Sequence, residues 1–218
     1  MTDTLLSILT DETWSWDPYE NQIKFNTDGT GTVLPHFTPQ PPQPKPTSTL
    51  TNPQLICRLK LVVWIAAEFD WKPKNPECLS QPIDLPTNAP RRPSQLTQFN
   101  IEITLTKRRI TALGDAVNRL VINEQLLTDA AFLPKEYTVK LENGQFLCAS
   151  DVGGRYSDSP RFRTRLVFDK SPYPPREEWK ETDGGVDANR FWEWREFCSR
   201  RLPERTGFIS RILRSLEG

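Results

Sequence analysis

The chain has 218 residues, in which 28 Lys and Arg side chains balance 28 Asp and Glu side chains. A net charge of zero provides no long-range field that would draw the molecule to nucleic acid or to an anionic membrane surface, so we expect neither partner. The hydrophobic share of 36% suffices for the core of a single domain covering 1–218, and 20 prolines against 10 glycines predict long loops.

The N-terminus and the cysteines bear on the compartment. Asp3 stands where a signal peptide needs basic residues, and the apolar run at 5–9 is too short to span a bilayer. One histidine, His36, cannot build a histidine-rich metal site, and the four cysteines include no Cys-x-x-Cys pair: Cys57, Cys78, Cys148 and Cys198. We therefore expect a cytoplasmic protein with free thiols, no membrane span, no metal and no cofactor.

The first 35 residues predict a short helix and a hairpin. An amphipathic turn at 5–9 follows Thr4, which can cap a helix with its side-chain oxygen. The alternating segment 22–33 surrounds a turn in which Gly29 takes the left-handed conformation. This register places Ile23 opposite Val33 and residue 25 opposite residue 31.

Two proline-rich segments, 35–53 and 72–93, are predicted as loops because proline supplies no amide to a helix or sheet. Residues 41–46 leave open a polyproline ligand for an SH3 or WW domain. Between the loops, every odd position from Leu55 to Trp71 is apolar, which predicts one long strand with a single dry face. Its even face carries an apolar patch of Val62, Trp64 and Ala66 that needs a cover.

The same alternation predicts further strands. It covers 99–105 and 162–168, the second with an outer row of arginines at 161, 163 and 165. It also covers 137–148, where Asn143-Gly144 is the favoured pair for a two-residue type I′ turn and predicts a hairpin. Segment 110–133 favours a helix, although a strand remains open.

The C-terminal region, 187–216, is predicted as two helices. Apolar side chains between Asp187 and Arg201 recur with a broad helical face, and a second amphipathic stretch covers 208–216. The first of these helices is the natural cover for the patch around Trp64.

Seven to nine strands with hairpin connections predict a mainly β protein, an antiparallel up-and-down β-barrel with N-terminal and C-terminal helices. An α+β fold with an open antiparallel sheet is the alternative. The early Trp14 on the first strand, in Glu12-Thr13-Trp14 where lipocalins have Gly-x-Trp, and the late helix make the chain resemble the lipocalin and wider calycin architecture. The resemblance implies a barrel that encloses a ligand.

An eight-stranded barrel has just enough interior for packed side chains or for one small ligand. The first functional hypothesis is therefore binding of a small hydrophobic molecule, as a carrier or by sequestration. The residues expected to line its site are Leu59, Leu61, Phe99, Ile101, Ile103, Tyr137, Val139, Phe146, Phe162 and Thr164.

Two other functions remain open. An isomerase or cyclase could use the same apolar cavity to preorganise a hydrophobic substrate. No catalytic motif is present, and the proton-transfer candidates for such a reaction are His36, Tyr19, Tyr137, Glu68 and Asp70. The third hypothesis is a non-catalytic interaction module that uses the proline loops or the arginine-rich C-terminus.

Overall fold

The computed structural model describes residues 3–18, 21–35, 67–86, 88–108, 126–152, 159–180, 187 and 190–203. Within these ranges the chain forms one α-helix and ten strands. They are β1 (Asp3–Thr4), α1 (Leu5–Thr10), β2 (Trp14–Ser15), β3 (Asn21–Phe25), β4 (Thr30–Pro35), β5 (Ala67–Pro73), β6 (Pro82–Ile83), β7 (Ser94–Leu105), β8 (Lys135–Phe146), β9 (Phe162–Phe168) and β10 (Glu196–Arg201).

Several predicted features lie outside the described residues. They are the strand before Ala67, with Leu59, Leu61 and the patch around Trp64, most of the first proline loop, the helical candidate over 110–125, and the C-terminal helix from 204 onwards.

Eight strands form a closed antiparallel ring. Its order is β2-β3-β4-β5-β7-β8-β9-β10, and β10 pairs back to β2 through Cys198 and Ser15. Each strand therefore pairs with its neighbours along the ring in an up-and-down order, while β1 and β6 pair with each other in a separate small sheet. The predicted mainly β, closed antiparallel architecture is confirmed, and the open-sheet alternative is wrong.

The two-residue periodicity identifies the inner face correctly. In β5 the odd residues Ala67, Phe69 and Trp71 are buried, whereas Asp70 is exposed. In β7 the four predicted inward residues from Phe99 to Leu105 are all buried. Because these rows belong to one apolar cluster, the ring has a continuous core.

The hairpin of β3 and β4 forms in the predicted register. Ile23 pairs with Val33 and Phe25 pairs with Gly31, and Gly29 has a φ of 83° in the turn. Gly31 also makes room for a neighbour, since a Cβ atom there would lie 2.3 Å from the Phe69 ring. A glycine in this inner row lets a large aromatic side chain cross the interior.

Helix α1 covers the end of the ring at which β2 begins and β3 ends. Thr4 and Ser7 form a capping box that satisfies amide groups of the first turn. The helix buries Leu5, Ile8 and Leu9 in the main cluster, and the Trp14 indole donates a hydrogen bond to the Leu9 carbonyl at 3.0 Å. The short N-terminal helix is thus present as predicted.

The predicted hairpin at Asn143-Gly144 is wrong. Strand β8 continues through both residues, with Asn143 paired to Ser94 on one side and to Thr164 on the other. The register with β9 then shifts before Phe146, so the glycine belongs to a bulge. Here the glycine accommodates the Phe146 ring, which would lie 2.7 Å from an added Cβ atom.

The predicted helix over Asp187–Arg201 is also wrong. The chain forms a 3₁₀ turn at Phe191–Glu193 and then β10, which closes the ring between β9 and β2. The aromatic residues that suggested a helical face pack instead around Tyr173, with the Trp194 ring centroid 5.4 Å away. Pairing on both edges of β10 overrides the helical spacing of these side chains.

The described part of segment 110–133 also differs from the favoured helix. Leu127 forms an isolated bridge with Trp179, and a 3₁₀ turn follows at Asp129–Phe132.

Candidate functional site

Aromatic side chains fill much of the ring interior. Phe25 makes edge contacts with Phe69 and with Trp71, at centroid distances of 5.5 and 5.3 Å. At the opposite end, Phe168 contacts Tyr137 at 6.0 Å and Phe197 at 5.8 Å. These pairs restrict any bound molecule to a small volume between them.

Six of the predicted lining residues lie on the inner face. Phe99 pairs with Val139 and Ile101 pairs with Tyr137 across β7 and β8. Ile103 pairs with Trp71 on β5, and Thr164 follows on β9. All six are buried: Phe99, Ile101, Ile103, Tyr137, Val139 and Thr164.

Two other predicted lining residues, Phe146 and Phe162, lie apart from this row. They pack together with Cys148 and Cys198 in a separate cluster. Phe146 follows the bulge in β8, and Arg165 on the outer face lies 4.4 Å from its ring centroid. Phe162 on β9 pairs with Phe146. Leu59 and Leu61, the remaining two, are outside the described residues.

The two cysteines of this second cluster are buried free thiols. The hydrogen bond that Cys148 makes with Cys198, together with burial, favours the protonated thiol and raises the pKa of Cys148 above its ordinary value. A thiol with a raised pKa is a poor nucleophile, so we interpret this cluster as part of the hydrophobic packing.

Asn143 is the inward residue that sequence reasoning missed. It continues the row of Tyr137, Val139 and Leu141 on β8, and it is completely buried. Among the described residues, neither its Nδ2 nor its Oδ1 has a hydrogen-bond partner. Because each unsatisfied buried donor or acceptor costs roughly 1–3 kcal/mol, this amide is the most conspicuous polar group of the interior.

Thr164 pairs with Asn143 across β8 and β9, and Ser199 pairs with Thr164 across β9 and β10; both hydroxyls donate their hydrogen to the backbone. The Thr164 hydroxyl donates to the Ser199 carbonyl at 3.0 Å. The Ser199 hydroxyl donates to the Thr13 carbonyl at 2.8 Å and lies 3.3 Å from a Glu12 carboxylate oxygen. Asn143, Thr164 and Ser199 thus form a small polar group in an apolar interior, beside the end covered by α1.

Tyr137 does not share this location. It is six residues from Asn143 along β8, a separation of about 20 Å in an extended strand. Burial raises the pKa of its phenol above the ordinary value, and the Glu178 and Asp169 carboxylates raise it further, so the proton is held firmly. Tyr137 therefore contributes packing at one end, while the unpartnered amide lies at the other.

The proton-transfer candidates do not gather in the interior. Glu68 and Asp70 lie on the outer face of β5, where Arg108 binds both carboxylates. His36 and Tyr19 are outside the described residues. Across the described ranges, no group of three or more His, Cys, Asp or Glu side chains has the arrangement to hold a metal ion.

The described part of the chain contains no helix that combines the length and apolarity needed to cross a membrane. No family model, curated protein or solved structure matches this chain. The candidate site therefore stands on its own geometry: a closed sheet, an apolar lining and one buried amide without a partner.

Proposed function

We propose that the protein binds a small hydrophobic molecule inside the ring, next to Asn143, and carries or sequesters it. The observation that carries this proposal is the completely buried side-chain amide whose donor and acceptor are both unused. A buried polar group without a partner is rare in folded proteins, and a ligand that supplies the missing hydrogen bonds accounts for it.

The surroundings of the amide support an apolar ligand. Leu141 and Val139 precede it on the same inner row, and Trp14 lies beneath α1 at the same end. A lining of this kind with a few convergent polar groups is typical of small-molecule sites. The ring has eight strands, a number that leaves room for packed side chains or for one small ligand, so the ligand is expected to be small.

A relationship to lipocalins, which the early Trp14 suggested, would agree with this proposal, whereas the late helix that also suggested it is strand β10. The isomerase or cyclase alternative receives less support, because Glu68 and Asp70 point away from the interior and are paired with Arg108. An interaction module built on the proline segment 41–46 or on the C-terminal arginines would use residues that are not described.

The proposal is tested by dye binding to the protein and to a variant in which a larger side chain fills the interior. Nile red, a neutral apolar dye, is titrated into the protein, and its fluorescence is followed. We expect saturable binding that Leu141→Phe weakens at least about tenfold, because the larger ring fills the space beside Asn143. Lys140→Phe, which adds the same ring one residue away on the exposed face, is the matched control and is expected to leave binding unchanged.

Two results would overturn the proposal. One is the absence of saturable dye binding at concentrations up to about 100 μM. The other is equal loss of binding in both variants, since binding would then not depend on the interior. If Leu141→Phe does not fold, Val139→Leu provides a milder filling change on the same row.

A further inference from the structure

We infer that the bound molecule presents to Asn143 a neutral group with a hydrogen-bond donor and an acceptor side by side, as in a primary carboxamide. This inference rests on the proposed interior site and names the chemical class of its ligand. Two features support it. Asn143 lacks both a donor and an acceptor partner, and the buried side chains of the described inner face carry no charge that could pair with an ionic ligand.

The hydrogen-bonding groups of Asn143 define what the ligand must supply. The Asn143 side chain offers two N–H donors on Nδ2 and one acceptor oxygen, and none of these has a partner. A ligand with only an acceptor would leave Oδ1 unsatisfied, and a ligand with only a donor would leave Nδ2 unsatisfied. A carboxamide satisfies both through two parallel hydrogen bonds, because its own amide has the complementary geometry.

The neighbouring hydroxyls cannot replace Asn143 in this role. The Thr164 proton is committed to the Ser199 carbonyl, and the Ser199 proton is committed to the Thr13 carbonyl. Both oxygens retain lone pairs, so they can accept a further hydrogen bond but have none to donate. Such an acceptor suits the second N–H of a primary carboxamide.

The lack of charged side chains on the buried inner face of the described strands excludes ionic ligands. The buried inward residues of the described strands are apolar, hydroxyl or amide side chains, so a buried carboxylate or ammonium group would meet no opposite charge there. A carboxylate oxygen of Glu12 accepts a hydrogen bond from the Arg200 amide and lies 3.3 Å from the Ser199 hydroxyl oxygen. Its negative charge disfavours an anion further.

Three probes of equal chain length separate these possibilities: octanamide, methyl octanoate and octanoate. The first is neutral with donor and acceptor, the second is neutral with acceptors only, and the third is ionised at about pH 8. We expect calorimetry to give octanamide at least about tenfold tighter binding than either of the others, because each lost hydrogen bond lowers affinity by about that factor.

Asn143→Leu and its control complete the test. Asn143→Leu removes both hydrogen-bonding groups at similar volume and is expected to abolish the preference for octanamide while methyl octanoate still binds. Asn100→Leu makes the same change on the exposed face of β7 and is expected to keep the preference.

Different results would refute the inferred ligand class and the proposed interior site. Equal affinity for the three probes, or a preference that survives in Asn143→Leu, overturns the inferred ligand class while Nile red binding leaves the interior site in place. If neither the probes nor Nile red bind, the interior site itself is refuted.

Discussion

Asn143 illustrates at the scale of a single residue how a ligand site weakens a core. Its row on β8 otherwise holds apolar side chains, and an amide there loses its hydration without regaining hydrogen bonds. Natural proteins keep such residues where function requires them, at some loss of stability.

The free protein should therefore gain stability when this amide is removed. We expect Asn143→Leu to raise the free energy of unfolding by about 1–2 kcal/mol, because an apolar side chain of similar size leaves no unsatisfied atoms. Urea denaturation of both proteins without ligand measures the change, with Asn100→Leu as the exposed control. A loss of stability would mean that Asn143 has partners in the free protein.

The outer arginines of β9 are not equivalent, although their alternation in sequence makes them look alike. Arg165 binds Glu142 and Glu196, each at 2.7 Å, and its guanidinium covers the Phe146 ring. Arg163 has Nε and Nη2 buried without a hydrogen-bond partner within the described residues. Arg165 is thus a paired arginine, whereas Arg163 is partly desolvated.

Alanine substitutions should reflect this difference. Arg165→Ala is expected to lower the free energy of unfolding by about 1–3 kcal/mol, since it removes two ion pairs and a cation–π contact that are largely shielded from water. Arg163→Ala is expected to leave it unchanged or to raise it by about 1 kcal/mol, because the variant removes two buried donors that lack partners among the described residues. Parallel urea titrations make the comparison, and equal losses in the two variants would contradict it.

At the scale of an element, the β3–β4 hairpin depends on close approach at Gly31. A Cβ atom there would lie 2.3 Å from the Phe69 ring and 2.6 Å from the Lys24 carbonyl oxygen. The second contact is with backbone, so rotation of the phenylalanine alone cannot relieve the clash.

Gly31→Ala is accordingly expected to cost more than about 2 kcal/mol of stability. Gly29→Ala is the companion variant: its φ of 83° strains an alanine by roughly 1 kcal/mol, but the added Cβ atom would meet its nearest neighbour at an ordinary 3.4 Å. Thermal unfolding followed by circular dichroism ranks the two. A smaller loss for Gly31→Ala than for Gly29→Ala would show that the hairpin can shift away from Phe69.

The same hairpin shows which elements are predictable from sequence. Its turn, register and inner face depend on residues within a dozen positions of one another, and all three are as predicted. At Asn143-Gly144 the local turn preference is real, but pairing with Ser94 and Thr164 on both sides holds β8 straight through it. For β10, the ring supplies two paired edges that no local pattern of aromatic residues can reveal.

At the scale of the whole molecule, the inner rows were predictable and the polar site was not. Strict alternation identifies Ile103 and Val139 as inward without knowledge of the neighbouring strands. Asn143 has the same odd-numbered phase, which was the available signal, but its lack of partners depends on how three strands meet. The bulge before Phe146 likewise depends on the pairing of β8 with β9.

Ring closure joins the first strand to the last across the least extensive pairing of the sheet. Strand β2 has two residues and meets β10 through Ser15 and Cys198, whereas β7 and β8 pair from Ser94 to Ile103. Side chains reinforce this seam, including the ion pair of Arg200 with Asp3 at 2.6 Å. An ion pair near the surface contributes little, so the seam is the place where the ring opens most readily.

Hydrogen–deuterium exchange followed by mass spectrometry should reveal this order. We expect amides of β2 and the end of β10 to exchange first, and those of β7, β8 and β9 to remain protected until global unfolding. Glu12→Ala removes the carboxylate that accepts a hydrogen bond from the Arg200 amide and should speed exchange at the end of β10, while Glu136→Ala, which removes an exposed pair with Lys74, should not. Uniform protection around the ring would mean that it opens as one cooperative unit, with no weak seam between its first and last strands.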